Sequence, residues 1–197
     1  MKSLAIEREF GSGGRDIGKR VAQLAGIPYY DGQMLIKEAE AKGVPLDLLE
    51  EYDEQKTGSI LYNIALFANY NQDMNQSKIY EVCCGIQDTI RDLEMQGPAV
   101  FIGRCSTEIL RGTPDVLRAY IYSSEEEKKI QRIVRTERVT EEEARKLMAK
   151  KDRQRSAYFK FWTRKKWEDR RNYDMELNTA ELPPELCAEI FLAAMQA

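Results

Sequence analysis

The sequence predicts an α/β fold in which a parallel sheet is covered by helices on both faces. Short apolar runs alternate with amphipathic helical stretches along the 197-residue chain, and that alternation builds a sheet between two helical layers. The run Pro98-Ala99-Val100-Phe101-Ile102-Gly103 is continuously apolar, as a strand buried on both faces must be. A turn containing Gly11, Gly13 and Gly14 joins the first apolar run to the first helix.

Leu4-Ala5-Ile6 is the first strand, and Ile17, Val21 and Leu24 share one face of the helix after the glycine turn. Strand, glycine turn and helix form the layout of a phosphate-binding loop. Glycine lets the backbone approach an anion, and the helix N-terminus offers unpaired N–H groups to it. Ile27 to Asp31 reads as a second strand, and Gly32 to Ala41 as a helix with Leu35, Ile36 and Ala39 apolar and Lys37 on another face. Gly43-Val44-Pro45 breaks it. A short acidic helix over 47–55 and an amphipathic stretch over 60–70 follow, so residues 32–75 read as an inserted helical lobe. Gln76 to Gln96 is the longest central helix, with Ile79, Val82, Cys83, Ile86, Ile90 and Leu93 at helical spacing.

Leu117 to Tyr122 is the strand after 98–103. Ser123 starts a helix reaching Thr136, with hydroxyl and acidic residues at its N-terminus. Thr140-Glu141-Glu142-Glu143 is a capping box that opens the next helix, which extends to Tyr158. Residues 159–171 are aromatic and basic with weak periodicity. Tyr173 to Leu177 is a last strand and Pro183 to Met195 a closing helix. The length suits one domain with a small inserted lobe.

The net charge of -3 argues against a general nucleic-acid binder, yet more than half of the 30 basic residues fall between Lys128 and Arg171. The N-terminus is charged too early for a signal peptide, and no stretch approaches the roughly 20 apolar residues of a membrane span. The expectation is a cytoplasmic protein. Histidine is absent, which removes imidazole bases, Ser-His triads and histidine-containing zinc sites. The four cysteines (Cys83, Cys84, Cys105 and Cys187) lack C-x-x-C spacing and read as reduced, buried thiols.

Ligands of parallel sheets bind at the carboxyl ends of the strands. Those ends carry Glu9 to Arg15, Asp31, Arg104, Ser123 and Asn178. The literal match Gly13-Gly14-Arg15-Asp16-Ile17-Gly18-Lys19 to a phosphate-loop signature is a decoy, because it places Lys19 a turn inside the helix. In the better frame Gly11-Ser12-Gly13 end the loop, Gly14 takes the usual lysine position and Arg15 the hydroxyl position.

The run Lys150 to Tyr158 is the second anchor. Lys151 and Arg155 are one helical turn apart, and arginines on a lid neutralise a migrating phosphoryl group while excluding water. The plainer reading is a solvated basic helix face. Arg104 suits an acceptor phosphate, with Lys37 a second candidate. Asp31 and Asp152 suit an acceptor hydroxyl or a metal, though lone acids more often cap helices or pair with cations. Phe161, Trp162 and Trp167 interleave with Lys160, Arg164, Lys165 and Lys166. Such a pattern binds single strands by stacking, but aromatics of this kind more often pack a lid or a core edge, so nucleic acid is disfavoured.

Together, Arg8-Glu9-Phe10-Gly11-Ser12-Gly13-Gly14-Arg15, Ile102-Gly103-Arg104-Cys105, the run from Asp152 to Tyr158 and Asn172-Tyr173-Asp174 through Leu177-Asn178 resemble the cytidylate kinase-like proteins. The resemblance implies a P-loop NTPase-type three-layer α/β/α sandwich with a five-stranded parallel sheet. Its core would span 1–31 and 76–197, its helical acceptor lobe 32–75 and its basic helical lid 137–171. It further implies phosphoryl transfer from ATP with Mg²⁺ to a nucleoside monophosphate or another small acceptor. Gly11, Ser12, Gly13, Gly14, Arg15 and Asp16 would hold the donor. Asp31, Lys37 and Arg104 would hold the acceptor, and Arg15, Arg153 and Arg155 would serve the transferred phosphate. No residue is assigned to a metal. The sequence departs from the family pattern at Gly14 for the loop lysine, Arg15 for the Mg-binding hydroxyl and Cys105 for the aspartate of Gly-Arg-Asp. A nucleotide-binding regulator without catalysis is the alternative those departures support.

Overall fold

The computed structural model describes residues 1–44 and 75–197, so the helices expected over 47–55 and 60–70 lie outside the described residues. Five strands, β1 (Ser3–Arg8), β2 (Tyr29–Tyr30), β3 (Val100–Ile102), β4 (Val116–Tyr122) and β5 (Met175–Asn178), form one sheet in the order β2-β3-β1-β4-β5. All neighbours are parallel, with Leu4 in register with Val100 on one side and Leu117 on the other.

Strand alternation divides the core into two faces, because successive side chains point to opposite sides of a sheet. Leu4, Ile6, Val100, Ile102, Ala119 and Ile121 pack beneath α1 (Gly14–Ala25) and the closing helix α7 (Pro184–Gln196), through Ile17, Val21, Cys187 and Phe191. Ala5 and Phe101 face the other way, against α2 (Gly32–Ala41) and α3 (Asn75–Met95), where Leu35, Ile36, Ile86 and Ile90 meet them. Each such fully buried aliphatic side chain contributes about 1.5–3 kcal/mol. The three-layer α/β/α sandwich is the architecture that the apolar patterning requires.

Two further helices pair beside the sheet. α5 (Glu126–Glu137) and α6 (Glu141–Thr163) form a hairpin with its own small core of Ile130, Ile133, Ala144 and Met148, onto which Phe10 packs. The expected capping box is formed: Thr140 Oγ1 accepts from the Glu143 N–H at 3.3 Å, and the Glu143 carboxylate accepts from the Thr140 N–H at 2.8 Å.

The aromatic-basic segment differs from its sequence reading. α6 continues to Thr163 and ends where Arg164 adopts a left-handed conformation, because Tyr158 and Phe159 bury against Tyr120, Trp167 and Tyr173. Period and composition alone did not reveal that extra turn. A single-turn helix, α4 (Ser106–Ile109), after β3 was also unanticipated. It follows three consecutive positive-φ residues, Gly103, Arg104 and Cys105, which turn the chain sharply at the strand's end.

Candidate functional site

The glycine loop bridges the end of β1 and the start of α1. Gly11 and Gly13 have φ of +81° and +84°, a left-handed conformation in which other residues are strained. A side chain on Gly11 would meet both Ile133 and the Lys129 carbonyl oxygen at 2.9 Å. Ser12 is fully buried and braces the loop. Its hydroxyl donates to the Glu9 carbonyl at 2.8 Å, and its carbonyl accepts from Thr179 Oγ1 at 2.8 Å. Glu9 ties the loop to the end of β4, accepting from the Ser123 N–H at 3.1 Å and from Lys129 at 2.9 Å.

Gly11, Gly13, Gly14, Arg15 and Asp16 line a cleft of about 550 Å³ at the carboxyl ends of the strands. Among the described residues six cations line it: Arg8, Arg15, Arg104, Arg132, Lys151 and Arg155. Glu9, Asp16, Asp31 and Glu137 are the acids among its lining residues, so positive charge exceeds negative. Such a cleft concentrates anions.

Asp31 sits at the end of β2 as the N-cap of α2. It accepts from the N–H groups of Gln33 and Met34, each at 3.1 Å, and from Arg15 at 2.6 Å. Burial opposes its charge, but the Met34 N–H, the Arg15 guanidinium and the Gln33 N–H hold its pKa below the usual carboxylate value. Arg104, 3% exposed, packs over the start of the same helix. A side chain on Gly32 would lie 3.1 Å from the Arg104 Nε. Arg15, Asp31 and Arg104 are therefore gathered where the glycine loop faces the start of α2.

α6 closes the cleft from above. The Phe10 N–H donates to Asp152 Oδ1 at 2.6 Å, and Arg155 Nη1 donates to the Arg8 carbonyl at 3.0 Å. The Arg155 guanidinium also lies 5.4 Å from the centre of the Phe10 ring. Burial pushes the Asp152 carboxyl up to about 6. Lys151 and Arg155 share the cleft-facing side, as their spacing predicts. Arg153 is exposed and outside the cleft lining, because it lies two positions from each of them around the helix. Lys37 is likewise exposed on α2 and outside the lining, since Leu35, Ile36 and Ala39 take the buried face. Ser123 and Asn178, at the strand ends, brace the edge: the Ser124 N–H donates to the Asn178 side chain at 3.0 Å. Lys19 lies 5.3 Å from the Tyr29 ring centre and away from the cleft, consistent with its match being a decoy.

Three cleft residues were not legible in the sequence. Arg132, on α5, donates to the Gly11 carbonyl at 2.6 Å and lies across Gly13. Burial pulls its pKa below the usual arginine value, with Arg135 adding to the effect. Gln154 is 7% exposed, and its Oε1 has no hydrogen-bond partner among the described residues. Arg8 occupies the end of β1 beneath the loop. A charged residue ending a buried strand, and a polar residue on the buried face of α6, were the available signals.

The rings of the aromatic-basic segment pack against the protein. Trp167 is 1% exposed, and its Nε1 donates to Glu7 Oε2 at 3.1 Å. Phe161 and Trp162 pack edge-to-face against each other at 4.8 Å.

A Mg²⁺ ion held by the loop does not fit the residues present. Arg15 stands at the hydroxyl position, the Ser12 hydroxyl is committed inside the loop, and Asp31 is engaged by three donors. Among the described residues no three histidine, cysteine or acidic side chains cluster to hold a metal. No helix among them is long and apolar enough to cross a membrane.

The family model described as "Cytidylate kinase-like family" matches residues 3–181. No curated protein matches the chain. Among solved structures, an uncharacterized protein from Eubacterium ventriosum ATCC 27560 is similar at 24% identity and a TM-score of 0.72, covering 100% of this chain and 99% of that one. A shikimate kinase from Bacteroides thetaiotaomicron is similar at 12% identity and a TM-score of 0.54, with coverage of 100% and 99%. A gluconokinase from Sinorhizobium meliloti 1021 is similar at 14% identity and a TM-score of 0.51, with coverage of 99% and 91%. At these identities the likeness is one of fold.

Proposed function

The chain belongs to the cytidylate kinase-like family, and from that premise we propose that it transfers a phosphoryl group from ATP to a nucleoside monophosphate, CMP-like, or to another small acceptor. The observation that carries the reading is the cleft itself: a left-handed glycine loop, a helix N-terminus and six cations converge at the carboxyl edge of a parallel sheet. Phosphoryl transfer needs positive charge held around the migrating group far more than it needs a base.

In this reading Gly11, Gly13, Gly14 and Asp16 line the donor phosphates at the start of α1. Arg104, with Asp31 beside it, receives the acceptor. Arg155, anchored to the loop backbone from α6, contributes charge while that helix excludes water. The acceptor lobe (32–75) and the lid (137–171) are the proposed units around this core, with Lys37 and Arg153 as peripheral cations of each. Mg²⁺ enters only as the counter-ion that the nucleotide carries. The cytoplasm, where ATP is available, is the proposed location, in keeping with the thiols of Cys84 and Cys187, which form no disulfide.

The test is phosphoryl transfer from ATP with Mg²⁺ against CMP, dCMP, UMP, AMP and a panel of small alcohols, with direct product detection. A new phosphorylated product is expected. The lack of both the loop lysine and the loop hydroxyl favours a second reading, a nucleotide-binding regulator. ATP binding by calorimetry with no product across the panel would select it, and neither binding nor product would overturn both. Arg15→Ala separates them further, because a kinase loses turnover beyond its loss of binding and a regulator has no turnover to lose.

A further inference from the structure

The loop lacks a lysine, yet the structure places another cation in its space. Gly14 occupies the lysine position, and a Cβ built there would lie 2.7 Å from the Arg8 Cβ and 3.1 Å from its Cγ. The Arg8 stem therefore fills the room that a side chain at 14 would need. Its guanidinium runs on to Gly103, where a Cβ would sit 2.1 Å from Nη1. Gly103, at φ +80°, thus leaves a slot for the guanidinium at the turn that carries Arg104. Arg8 Nη1 is buried, and it has no hydrogen-bond partner among the described residues although the side chain lines the cleft. Burying a charged donor without an acceptor is costly, and an anion entering between the loop and the Gly103 turn removes that cost.

We propose that Arg8 is the donor-phosphate cation of this loop, replacing the absent lysine from the strand side and reaching the boundary between donor and acceptor. The inference rests on the kinase reading for its nucleotide, but its core is narrower: a polyphosphate binds against Arg8. The glycines at 14 and 103 are then a matched pair, each cleared of a side chain so that one guanidinium can cross the site. Arginine is suited to this position because its planar fork engages two phosphate oxygens at once and keeps its charge when buried.

The test is calorimetric binding of inorganic tripolyphosphate to the full chain and three variants, with thermal unfolding of each. Arg8→Ala is expected to fold, and to bind tripolyphosphate about 10- to 100-fold more weakly, the worth of a lost charge-assisted contact. Gly14→Lys alone is expected to lose stability, because its Cβ collides with the Arg8 stem. The combination Arg8→Gly with Gly14→Lys removes that collision, leaving Ile121 Cβ at an ordinary 3.4 Å. It is expected to recover both stability and binding. Equal binding by the wild type and Arg8→Ala overturns the proposal, as does a wild type that binds no tripolyphosphate, or a folded double variant that does not bind. Tripolyphosphate binding that depends on Arg8 without any ATP turnover leaves the inference standing and removes the kinase reading. ATP turnover unchanged in Arg8→Ala does the reverse.

Discussion

Asp152 offers a sharp test of how α6 is held on the loop. Its carboxyl lies beneath the helix with one oxygen on the Phe10 N–H at 2.6 Å, and burial raises its pKa from 3.8 to about 6. The nearest cation, Arg155, stands 3.9 Å away, too far to offset desolvation. A folded-state pKa above the unfolded value means that the folded protein binds the proton more tightly. The charged carboxylate therefore weakens the fold at neutral pH. The penalty is absent below about 3.8, grows between about 3.8 and 6, and is complete above that, where moving the pKa this far corresponds to about 3 kcal/mol. Asp152→Asn keeps an acceptor for the Phe10 N–H and removes the charge. The variant is expected to be more stable than the wild type by about 3 kcal/mol at pH 7.5, or about 6–12 °C in midpoint for a chain of this length. That advantage should vanish near pH 4. The difference between the two proteins isolates Asp152 from Asp31, Glu108 and Asp174, whose lowered pKa values give stability that is lost as pH falls through the acid range. Urea unfolding of both proteins from pH 4 to 8 measures it. A gap that does not change with pH, or an Asn variant less stable at neutral pH, would refute the desolvation account.

Other perturbations follow from single contacts. Gly103→Ala forces a side chain into a φ of +80° and into the Arg8 guanidinium; it should cost about 1–3 kcal/mol by chemical denaturation and lower nucleotide affinity with it. Trp167→Phe removes the 3.1 Å donor of the buried Glu7 carboxylate and should cost about 2–3 kcal/mol, part of which Glu7→Gln recovers when the two changes are combined. Arg132→Ala frees the Gly11 carbonyl and uncovers Gly13; about tenfold weaker ATP binding by calorimetry, with the midpoint of thermal unfolding nearly unchanged, is the expected pair of results.

The sheet was legible because a strand buried on both faces is written as an unbroken apolar run. Val100, Phe101 and Ile102 have no exposed side, and no polar residue interrupts them. The glycine loop was legible because glycine adopts the left-handed backbone at 11 and 13 without strain. Two of the cleft's charges, Arg8 and Arg132, were not, for a physical reason. They come from a strand end and a helix far apart in the chain, and their convergence depends on how the α5–α6 hairpin docks on Phe10. A lysine or arginine on an amphipathic helix looks the same whether its face meets solvent or a cleft, which is why Arg153 and Arg155 were indistinguishable by composition. The aromatic segment was ambiguous for a related reason: Trp167 next to lysines suits a stacking surface until its Nε1 is found on the buried Glu7.

Arg15 shows how a pairing redirects a residue's role. From its place in the loop it reads as a phosphate clamp, but its guanidinium spans from the first turn of α1 to Asp31, the N-cap of α2, at 2.6 Å. Asp31 is itself fixed by two N–H groups of α2, so the pair joins α1 to α2. If Arg15 worked as an independent clamp, releasing it from Asp31 would leave turnover unchanged or raise it. If the pair sets the distance between donor and acceptor, removing either partner has the same consequence, since misplacing reacting groups lowers the rate more than the binding. Asp31→Asn discriminates, because asparagine caps a helix as well as aspartate does, while the charge and the oxygen that accepts from Arg15 are lost. The expected result is that Arg15→Ala and Asp31→Asn each lower kcat by about tenfold or more, with KM for ATP nearly unchanged. An Asp31→Asn enzyme faster than the wild type would return Arg15 to the role of a free clamp.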